Sequence, residues 1–312
     1  FRGDVSILKP GLRMLEEKIN TSVLGVIPYF HLDIEDEDSL TERFRKKSRS
    51  GLAKIAVIRL PRISNFTDIA PLEAVDELDV SYVSNISQFG DPDVVIIPGS
   101  KNTISDLLWM RQNGLEGKIL RHAAKGGIVF GICGGYQMLG QSISDPTGAE
   151  QKGTVRGMGL LPVTTVFEQE KRRTRVSGRF AKVGGALAEM SGVCYEGYEI
   201  HKGRTVLSKG TVPLVYMEEE GEQRQDGAQS DHVYGCYMHG IFDMSETVKT
   251  FLAAVLRKKG IDPSKITVRD RNAYKEEQYD RLASIVRENL NMEAVYKIIE
   301  KGNEASCSLL SE

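Results

Sequence analysis

The chain has 312 residues, enough for one large domain or two of ordinary size, and its 41 basic and 43 acidic side chains give a formal net charge of −2. These charges are interspersed, which excludes the basic surface of a nucleic-acid-binding domain. No run approaches the roughly eighteen apolar residues of a membrane span, so we expect a cytoplasmic protein without membrane or nucleic-acid partners. Four scattered cysteines without CxxC spacing predict neither a disulfide framework nor a metal site.

The amino-terminal part of the chain differs in composition from the rest. Residues 8–20 have a helical pattern, and residues 22–29 (SVLGVIPY) are typical of a short buried strand. An acidic run and then a basic run follow. Because these runs hold few apolar residues, residues 41–53 are predicted to be a linker.

From Lys54 onward, apolar runs and helical patterns alternate, which is typical of a doubly wound α/β sheet. Buried parallel strands are expected over residues 54–61, 78–83, 93–97 and 127–132. A helix over residues 103–111 is expected between the last two strands, with Thr103 as its capping residue.

After residue 155 the pattern becomes more β-like. Antiparallel additions to the parallel sheet are expected over residues 160–168, 174–180, 195–200, 212–217 and 232–238. Helices are expected from Thr247, including an amphipathic one over residues 289–301. The Ser- and Glu-rich residues 303–312 are predicted to be a disordered tail.

The sharpest local signal is the turn Gly131-Ile132-Cys133-Gly134-Gly135, which lies between a buried strand and a helical run. Small residues around a nucleophile let the chain turn sharply from strand to helix and hold the nucleophile in a strained, exposed position. Cys133 is therefore the candidate nucleophile, and the amino end of the next helix favours its thiolate. The amide of Gly134 can face a developing oxyanion. The alternative is a buried cysteine in a glycine-rich turn.

A thiol nucleophile needs a base, and His239 is the first candidate. It follows an apolar run and precedes Gly240, so it lies where a strand ends. Active-site residues of open α/β sheets collect at such ends. We therefore expect His239 to be the base.

His201 is the competing histidine, and it shares a short segment with Glu199 and Arg204. This segment could orient the base, or it could hold a zwitterionic substrate with Arg204 on the α-carboxylate. A solvated turn is the alternative.

The turn after the strand at 93–97 contributes Gly99. Because glycine allows close approach of the backbone, the amide of Gly99 is expected to be a second oxyanion donor. The GxxxxGK[ST] spacing of a phosphate-binding loop is absent.

Together these stretches resemble the class I glutamine amidotransferases, and within them the cobyric acid synthase branch. The segments similar to that branch in order and spacing are residues 97–115, 127–140, 197–205 and 235–243. The resemblance implies a flavodoxin-like, mostly parallel sheet flanked by helices over residues 54–260, followed by carboxy-terminal helices over residues 261–302.

The resemblance also implies a chemistry, in which Cys133 and His239 cut ammonia from glutamine. Gln137, Arg204 and His201 are assigned to binding the substrate.

Most members of the wider family carry a carboxylate two residues after the histidine, where this chain has Ile241. The catalytic unit is therefore expected to be a Cys–His dyad. Glu199 and Asp243 are the candidate orienting carboxylates.

Residues 1–40 resemble the last part of that branch's ATP-dependent synthetase domain, which is similar to dethiobiotin synthetase. The resemblance implies a whole enzyme that amidates the b, d, e and g carboxylates of a corrinoid, adenosylcobyrinic acid a,c-diamide, in cobalamin biosynthesis. ATP and Mg²⁺ are expected in the synthetase domain, and no cofactor is expected in this chain. Two alternatives stay open: the glutaminase of an enzyme that amidates a lipid-linked cell-wall precursor, and a non-catalytic interaction domain.

Overall fold

The computed structural model describes residues 1–30, 32, 51–219, 222–265 and 271–308. Its contacts divide the chain into two compact units, one of Phe1–Glu37 with Asn272–Glu312 and one of Asp38–Arg271. The linker predicted over residues 41–53 lies outside the described residues up to residue 50, and Ala53 already begins the first strand. The assignment of residues 1–40 to a synthetase domain stays a prediction.

The described elements are numbered here in chain order. The strands are β1 (Ala53–Ile58), β2 (Ile63–Ser64), β3 (Leu78–Val83), β4 (Val94–Ile97), β5 (Gly99–Ser100), β6 (Ile128–Ile132), β7 (Ser142–Asp145), β8 (Gly153–Arg156), β9 (Val163–Phe180), β10 (Cys194–Leu207), β11 (Val215–Glu219), β12 (Glu222–Asp226), β13 (Ala228–Ser230) and β14 (Val233–Cys236). The α-helices are α1 (Val5–Ile19), α2 (Ala70–Glu73), α3 (Thr103–Gln112), α4 (Leu115–Ala124), α5 (Gly134–Leu139), α6 (Ser245–Lys258), α7 (Arg271–Asn289) and α8 (Met292–Ser308). Short 3₁₀ segments lie at Phe66–Ile69, Gly185–Met190 and Pro263–Lys265.

A six-stranded, mostly parallel sheet forms the centre of the larger unit. Its spatial order is β13-β14-β6-β4-β1-β3, and only β13 at one edge is antiparallel to its neighbour. Every residue of β4 and β6 is buried, as expected for parallel strands covered on both faces. The α/β fold with a mostly parallel sheet is confirmed. This strand order places the carboxyl ends of β14, β6 and β4 side by side.

The strand predicted at 232–238 as an antiparallel addition is β14, which instead pairs parallel with β6 in the central sheet. The other four predicted additions lie in a second sheet. Its order is β12-β11-β9-β7-β8, with β10 paired to β9. The strands predicted at 160–168 and 174–180 are one strand, β9, and the one predicted at 195–200 continues to Leu207 in β10. The polar residues in the middle of β9 suggested a break, but β10 supplies main-chain partners on both sides of them through a register shift.

The cap of α3 is one residue earlier than predicted. The Asn102 side chain accepts a hydrogen bond from the Ser105 N–H at 2.9 Å. Thr103 does not cap the helix, because its hydroxyl donates to the side-chain oxygen of Gln137 at 3.1 Å. Thr103 therefore ties α3 to α5, which begins next to Cys133.

The smaller unit contains α1 and the two carboxy-terminal helices α7 and α8. The strand predicted over residues 22–29 is reduced to one antiparallel bridge, between Gly25 and Leu290. Residues 303–308, predicted to be disordered, continue α8, since no proline interrupts the helix; residues 309–312 lie outside the described part. None of the described helices is long and apolar enough to cross a membrane.

The close packing of α5 on β4 can be tested with two glycine substitutions. A Cβ at Gly135 would lie 1.9 Å from the carbonyl oxygen of Ile97, whereas one at Gly117, in α4, would meet nothing within 4 Å. We expect Gly135→Ala to destabilise the larger unit by about 1–3 kcal/mol through overpacking. Gly117→Ala should stabilise it by about 0.5–1 kcal/mol, because alanine is the better helix former. Urea unfolding followed by fluorescence of the single tryptophan, Trp109, measures both, and equal midpoints would contradict this packing.

Candidate active site

Cys133 lies in the turn between β6 and α5 with φ 51° and ψ −107°. A positive φ is uncommon for a residue with a side chain and marks stored backbone strain. The turn is held by a hydrogen bond from the Cys133 N–H to the Cys236 carbonyl at 2.9 Å. Gly135 lets the chain fold back, because any larger residue would collide with β4. The geometry is that of the predicted nucleophile elbow.

His239 follows β14 and is fully buried. Its Nδ1 donates to a carboxylate oxygen of Asp68 at 2.7 Å, and its Nε2 lies 2.9 Å from the side-chain amide of Asn65. The other carboxylate oxygen of Asp68 accepts the Gly240 N–H at 2.8 Å. The ring also stacks on Tyr198, with centroids 5.2 Å apart. Both ring nitrogens therefore have side-chain partners from one short segment, residues 65–68.

The surroundings of His239 favour its charged form. Burial of the ring opposes protonation, but the carboxylate of Asp68 and then negative charge on the Cys133 sulfur outweigh it and raise the pKa of His239 to about 10. The imidazole is therefore a cation at neutral pH. A cation beside a cysteine favours the nucleophilic thiolate.

The carboxylate bonded to the ring of His239 is that of Asp68, and not that of either predicted candidate. Tyr198 faces the ring of His239, so the next residue of β10, Glu199, points to the opposite face of the strand. There Glu199 forms an ion pair with Arg172 at 3.0 Å. The ring nitrogens of His239 contact Asp68 and Asn65, and the carboxylate of Asp243 lies beside Gly240.

Asp68 reaches the site because the segment before it forms a two-residue β-ladder. After β1, the short strand β2 pairs antiparallel with β5, so that Ser64 lies opposite Gly99. The Lys101 N–H extends this ladder by donating to the Arg62 carbonyl at 2.8 Å. Residues 62–68 therefore cross the carboxyl end of β4 and reach His239. The polar residues Asn65, Thr67 and Asp68 in the segment that follows a parallel strand are the sequence signal that could have indicated it.

Two backbone amides border the nucleophile. One is the amide of Gly134, which lies close to Ser100: a Cβ on Gly134 would lie 3.0 Å from the Ser100 nitrogen. In an antiparallel ladder, successive residues turn their N–H groups to opposite sides. Because the Lys101 N–H donates to Arg62 in this ladder, the N–H of the preceding residue, Ser100, points away from β2. The geometry favours the amide of Ser100 over that of the predicted Gly99 as the second donor.

A cavity of about 320 Å³ opens over Cys133. Its charged lining residues are Lys101, Lys202 and Glu150. The predicted residues Gln137 and His201 also line it. A space of this size, with both signs of charge, suits a small zwitterion.

Gln137 and His201 present few polar atoms to this cavity. The amide of Gln137 is held between the hydroxyls of Thr103 and Tyr237, at 3.1 and 3.0 Å, and the side chain is almost fully buried. His201 stacks on the Tyr237 ring, and its Nδ1 lies 2.8 Å from the Gly203 carbonyl. Both residues therefore shape the wall of the cavity.

Arg204, predicted to hold the α-carboxylate of the substrate, does not line the cavity. Its guanidinium donates to Glu168 at 3.0 Å, and the side chain is exposed. Lys101 and Lys202 are the cations that the structure brings to the cavity instead.

The position of Glu150 in the cavity depends on the side chain of Asp145, which the sequence did not indicate. The buried side chain of Asp145 accepts four backbone N–H bonds at 2.8–2.9 Å from residues 148–151. Burial opposes the ionisation of Asp145, but these donors outweigh it and lower its pKa. Glu150 itself accepts the Ile104 N–H at 3.1 Å, and burial raises its pKa.

Comparison with known proteins agrees with this geometry. Residues 54–247 match the model of the CobB/CobQ-like glutamine amidotransferase domain. The chain is 54% identical to the cobyric acid synthase of Ruminiclostridium cellulolyticum over 97% of this chain and 60% of that protein. It is 44% identical to the cobyric acid synthase of Lachnoclostridium phytofermentans over 97% of this chain and 61% of that protein. The chain thus spans about three fifths of the length of these relatives.

Among solved structures, PurLQS from Thermotoga maritima shares the fold, with a TM-score of 0.50 and 17% sequence identity over 66% of this chain and 99% of that one. The family model covers more than half of the chain and includes Cys133, His239 and Asp68. The chain belongs to the CobB/CobQ-like family of glutamine amidotransferases.

Proposed function

We propose that this chain is the glutaminase part of a cobyric acid synthase, which releases ammonia from glutamine through a thioester on Cys133. The observation that carries the proposal is the strained Cys133 beside a buried His239 that Asp68 holds in its charged form. An interaction domain that only keeps the fold has no need of such a nucleophile and base. The set therefore supports an enzyme over the non-catalytic alternative.

In the first half-reaction, the Cys133 thiolate attacks the side-chain carboxamide carbon of glutamine. The carbonyl oxygen becomes an oxyanion that accepts hydrogen bonds from the Gly134 and Ser100 amides. The C–N bond then breaks as His239 gives its Nε2 proton to the departing nitrogen. Ammonia leaves, and a γ-glutamyl thioester remains on Cys133.

In the second half-reaction, the now neutral His239 takes a proton from water as the water attacks the thioester. The same two amides hold the second oxyanion. When this intermediate collapses, the thiolate of Cys133 leaves and glutamate is released. Asp68 keeps its hydrogen bond to Nδ1 throughout, so only Nε2 exchanges protons.

The residues that line the cavity recognise glutamine. Glu150 is the anion that faces the α-ammonium group, and Lys101 and Lys202 are the cations for the α-carboxylate. The buried Gln137 holds the wall beside the nucleophile. This arrangement takes the roles that the sequence assigned to Arg204 and His201.

The proposed acceptor is supported by the names of the relatives, which are cobyric acid synthases. Ammonia passes to an ATP- and Mg²⁺-dependent domain, in the part of the relatives that this chain does not span. There it amidates the b, d, e and g carboxylates of adenosylcobyrinic acid a,c-diamide. Residues 1–40 form the end of that domain.

The nucleophile can be tested in the full-length enzyme with Cys133→Ser. We expect glutamine-dependent amidation to fall by at least about a thousandfold, because serine lacks an ionised nucleophile. Amidation from free ammonia should persist. Cys194→Ser, which changes an exposed cysteine, is the matched control and should keep both activities. Glutamine-dependent synthesis by Cys133→Ser would refute the proposal.

The orienting carboxylate can be tested with Asp68→Asn. We expect kcat for glutamine hydrolysis to fall by roughly 10²–10⁴-fold, as expected when an orienting carboxylate is replaced by an amide. Because Asp68 raises the pKa of His239 to about 10, its removal lowers that pKa. The basic limb of the pH–rate profile should therefore move to lower pH.

Asp243→Asn is the control for this prediction, since Asp243 was the competing candidate. It should lower kcat less than tenfold on the same order-of-magnitude scale and leave the basic limb in place. Similar losses in the two variants would contradict the assignment of Asp68.

Recognition of the α-ammonium group can be tested with Glu150→Gln. We expect KM for glutamine to rise by roughly tenfold to a hundredfold, the effect of losing one charge-assisted hydrogen bond, with a smaller change in kcat. The control substrate is glutaramate, which is glutamine without its α-amino group. The wild type should prefer glutamine and the variant should not. An unchanged preference would exclude Glu150 from the glutamine site.

A further inference from the structure

The partner of His239 at Nε2 is the side-chain amide of Asn65, whose nitrogen Nδ2 lies 2.9 Å from Nε2. An amide has a donor end and an acceptor end in nearly the same outline. It can accept from a protonated Nε2 through its oxygen, or donate to a bare Nε2 through its nitrogen. The partner at Nδ1, the carboxylate of Asp68, can only accept.

These two partners match the two protonation states that the proposed reaction requires. Nδ1 keeps its proton in both states, because it is bonded to Asp68. Nε2 carries a proton before ammonia leaves and lacks it when water is activated. Asn65 therefore lies at the only ring nitrogen whose hydrogen-bonding direction reverses during turnover.

The surroundings of Asn65 leave its amide able to turn. The side chain lines the 320 Å³ cavity over Cys133. Within the described part of the chain, its amide makes no hydrogen bond besides that to His239. Reversing the amide therefore breaks no other hydrogen bond that the described residues make to it.

We propose that Asn65 is a positioning residue that holds Nε2 of His239 in both half-reactions by reversing its amide. This inference rests on the proposed function, because it needs the thioester cycle at Cys133. During each proton transfer, the departing nitrogen or the water replaces Asn65 as the hydrogen-bond partner of Nε2. Asn65 bonds to Nε2 again afterwards. The ring thus stays aligned while its charge changes.

The backbone of Asn65 allows two clean substitutions. Its φ of 50° lies in the left-handed region, which asparagine, aspartate and glycine tolerate best. Asn65→Asp keeps the shape but can only accept when ionised. Asn65→Gly keeps the turn and removes the amide. Comparing the two variants therefore separates the effect of the reversible hydrogen bond from the effect of the backbone conformation at residue 65.

The two variants should differ in which half-reaction slows. In Asn65→Asp, the added carboxylate favours protonated His239, so acylation persists while deacylation, which needs neutral imidazole, slows by roughly tenfold or more. The γ-glutamyl thioester should then accumulate. In Asn65→Gly, both half-reactions should slow by similar factors without accumulation.

The experiment is rapid acid quench of the full-length enzyme with glutamine, ATP and acceptor, followed by mass measurement of the Cys133 peptide. Accumulated thioester in Asn65→Asp, with none above the wild-type level in a slowed Asn65→Gly, supports the proposal. An unchanged thioester fraction in Asn65→Asp, or wild-type rates in Asn65→Gly, overturns it. A wild-type enzyme that forms no thioester at any time would instead overturn the proposed function on which it rests.

Discussion

The hydrogen bond between the carboxylate of Asp68 and the ring of His239 is the contact on which the rest of the site depends. It joins residues 171 positions apart at 2.7 Å, inside a buried environment. Burial by itself favours neutral imidazole, and the carboxylate of Asp68 is the largest influence that opposes it and raises the pKa of His239 to about 10. The histidine is then a cation, and Nε2 is the ring nitrogen that Asp68 leaves to other partners.

The sheet makes this contact possible. Because β14, β6 and β4 are neighbours, their carboxyl ends bring together His239, Cys133 and the β5 strand that carries Ser100. Two strands, β6 and β4, separate β1 from β14 in the sheet. The pairing of the segment after β1 with β5 carries that segment across β4. On the other side, β10 of the second sheet runs past both Cys133 and His239. The strained backbone of Cys133 persists because the surrounding strands hold its turn in place.

The sequence was most informative where the chemistry is local. Cys133 and Gly134 stood out in the sequence because their turn is one short segment, and His239 because it ends a strand; the structure brings Cys133 and His239 together, and their roles stay predictions. Asp68 did not stand out, since a two-residue ladder brings it to the site and such a ladder has no periodicity. Arg204 is not among the residues that line the cavity, and its guanidinium pairs with Glu168 of the neighbouring strand. The sequence predicted two strands where the structure has β9. The polar middle of β9 resembles a break until β10 pairs with the residues on both sides of it.

The most direct test of this account is an NMR titration of His239 in the ¹⁵N-histidine-labelled protein, compared with Asp68→Asn. The account predicts a pKa of about 10 for His239 in the unaltered protein, an Nδ1 proton that is retained throughout the titration, and a clearly lower pKa in Asp68→Asn. A His239 that titrates at its ordinary value of 6.5, or one whose pKa is the same in both proteins, would contradict the central role of Asp68.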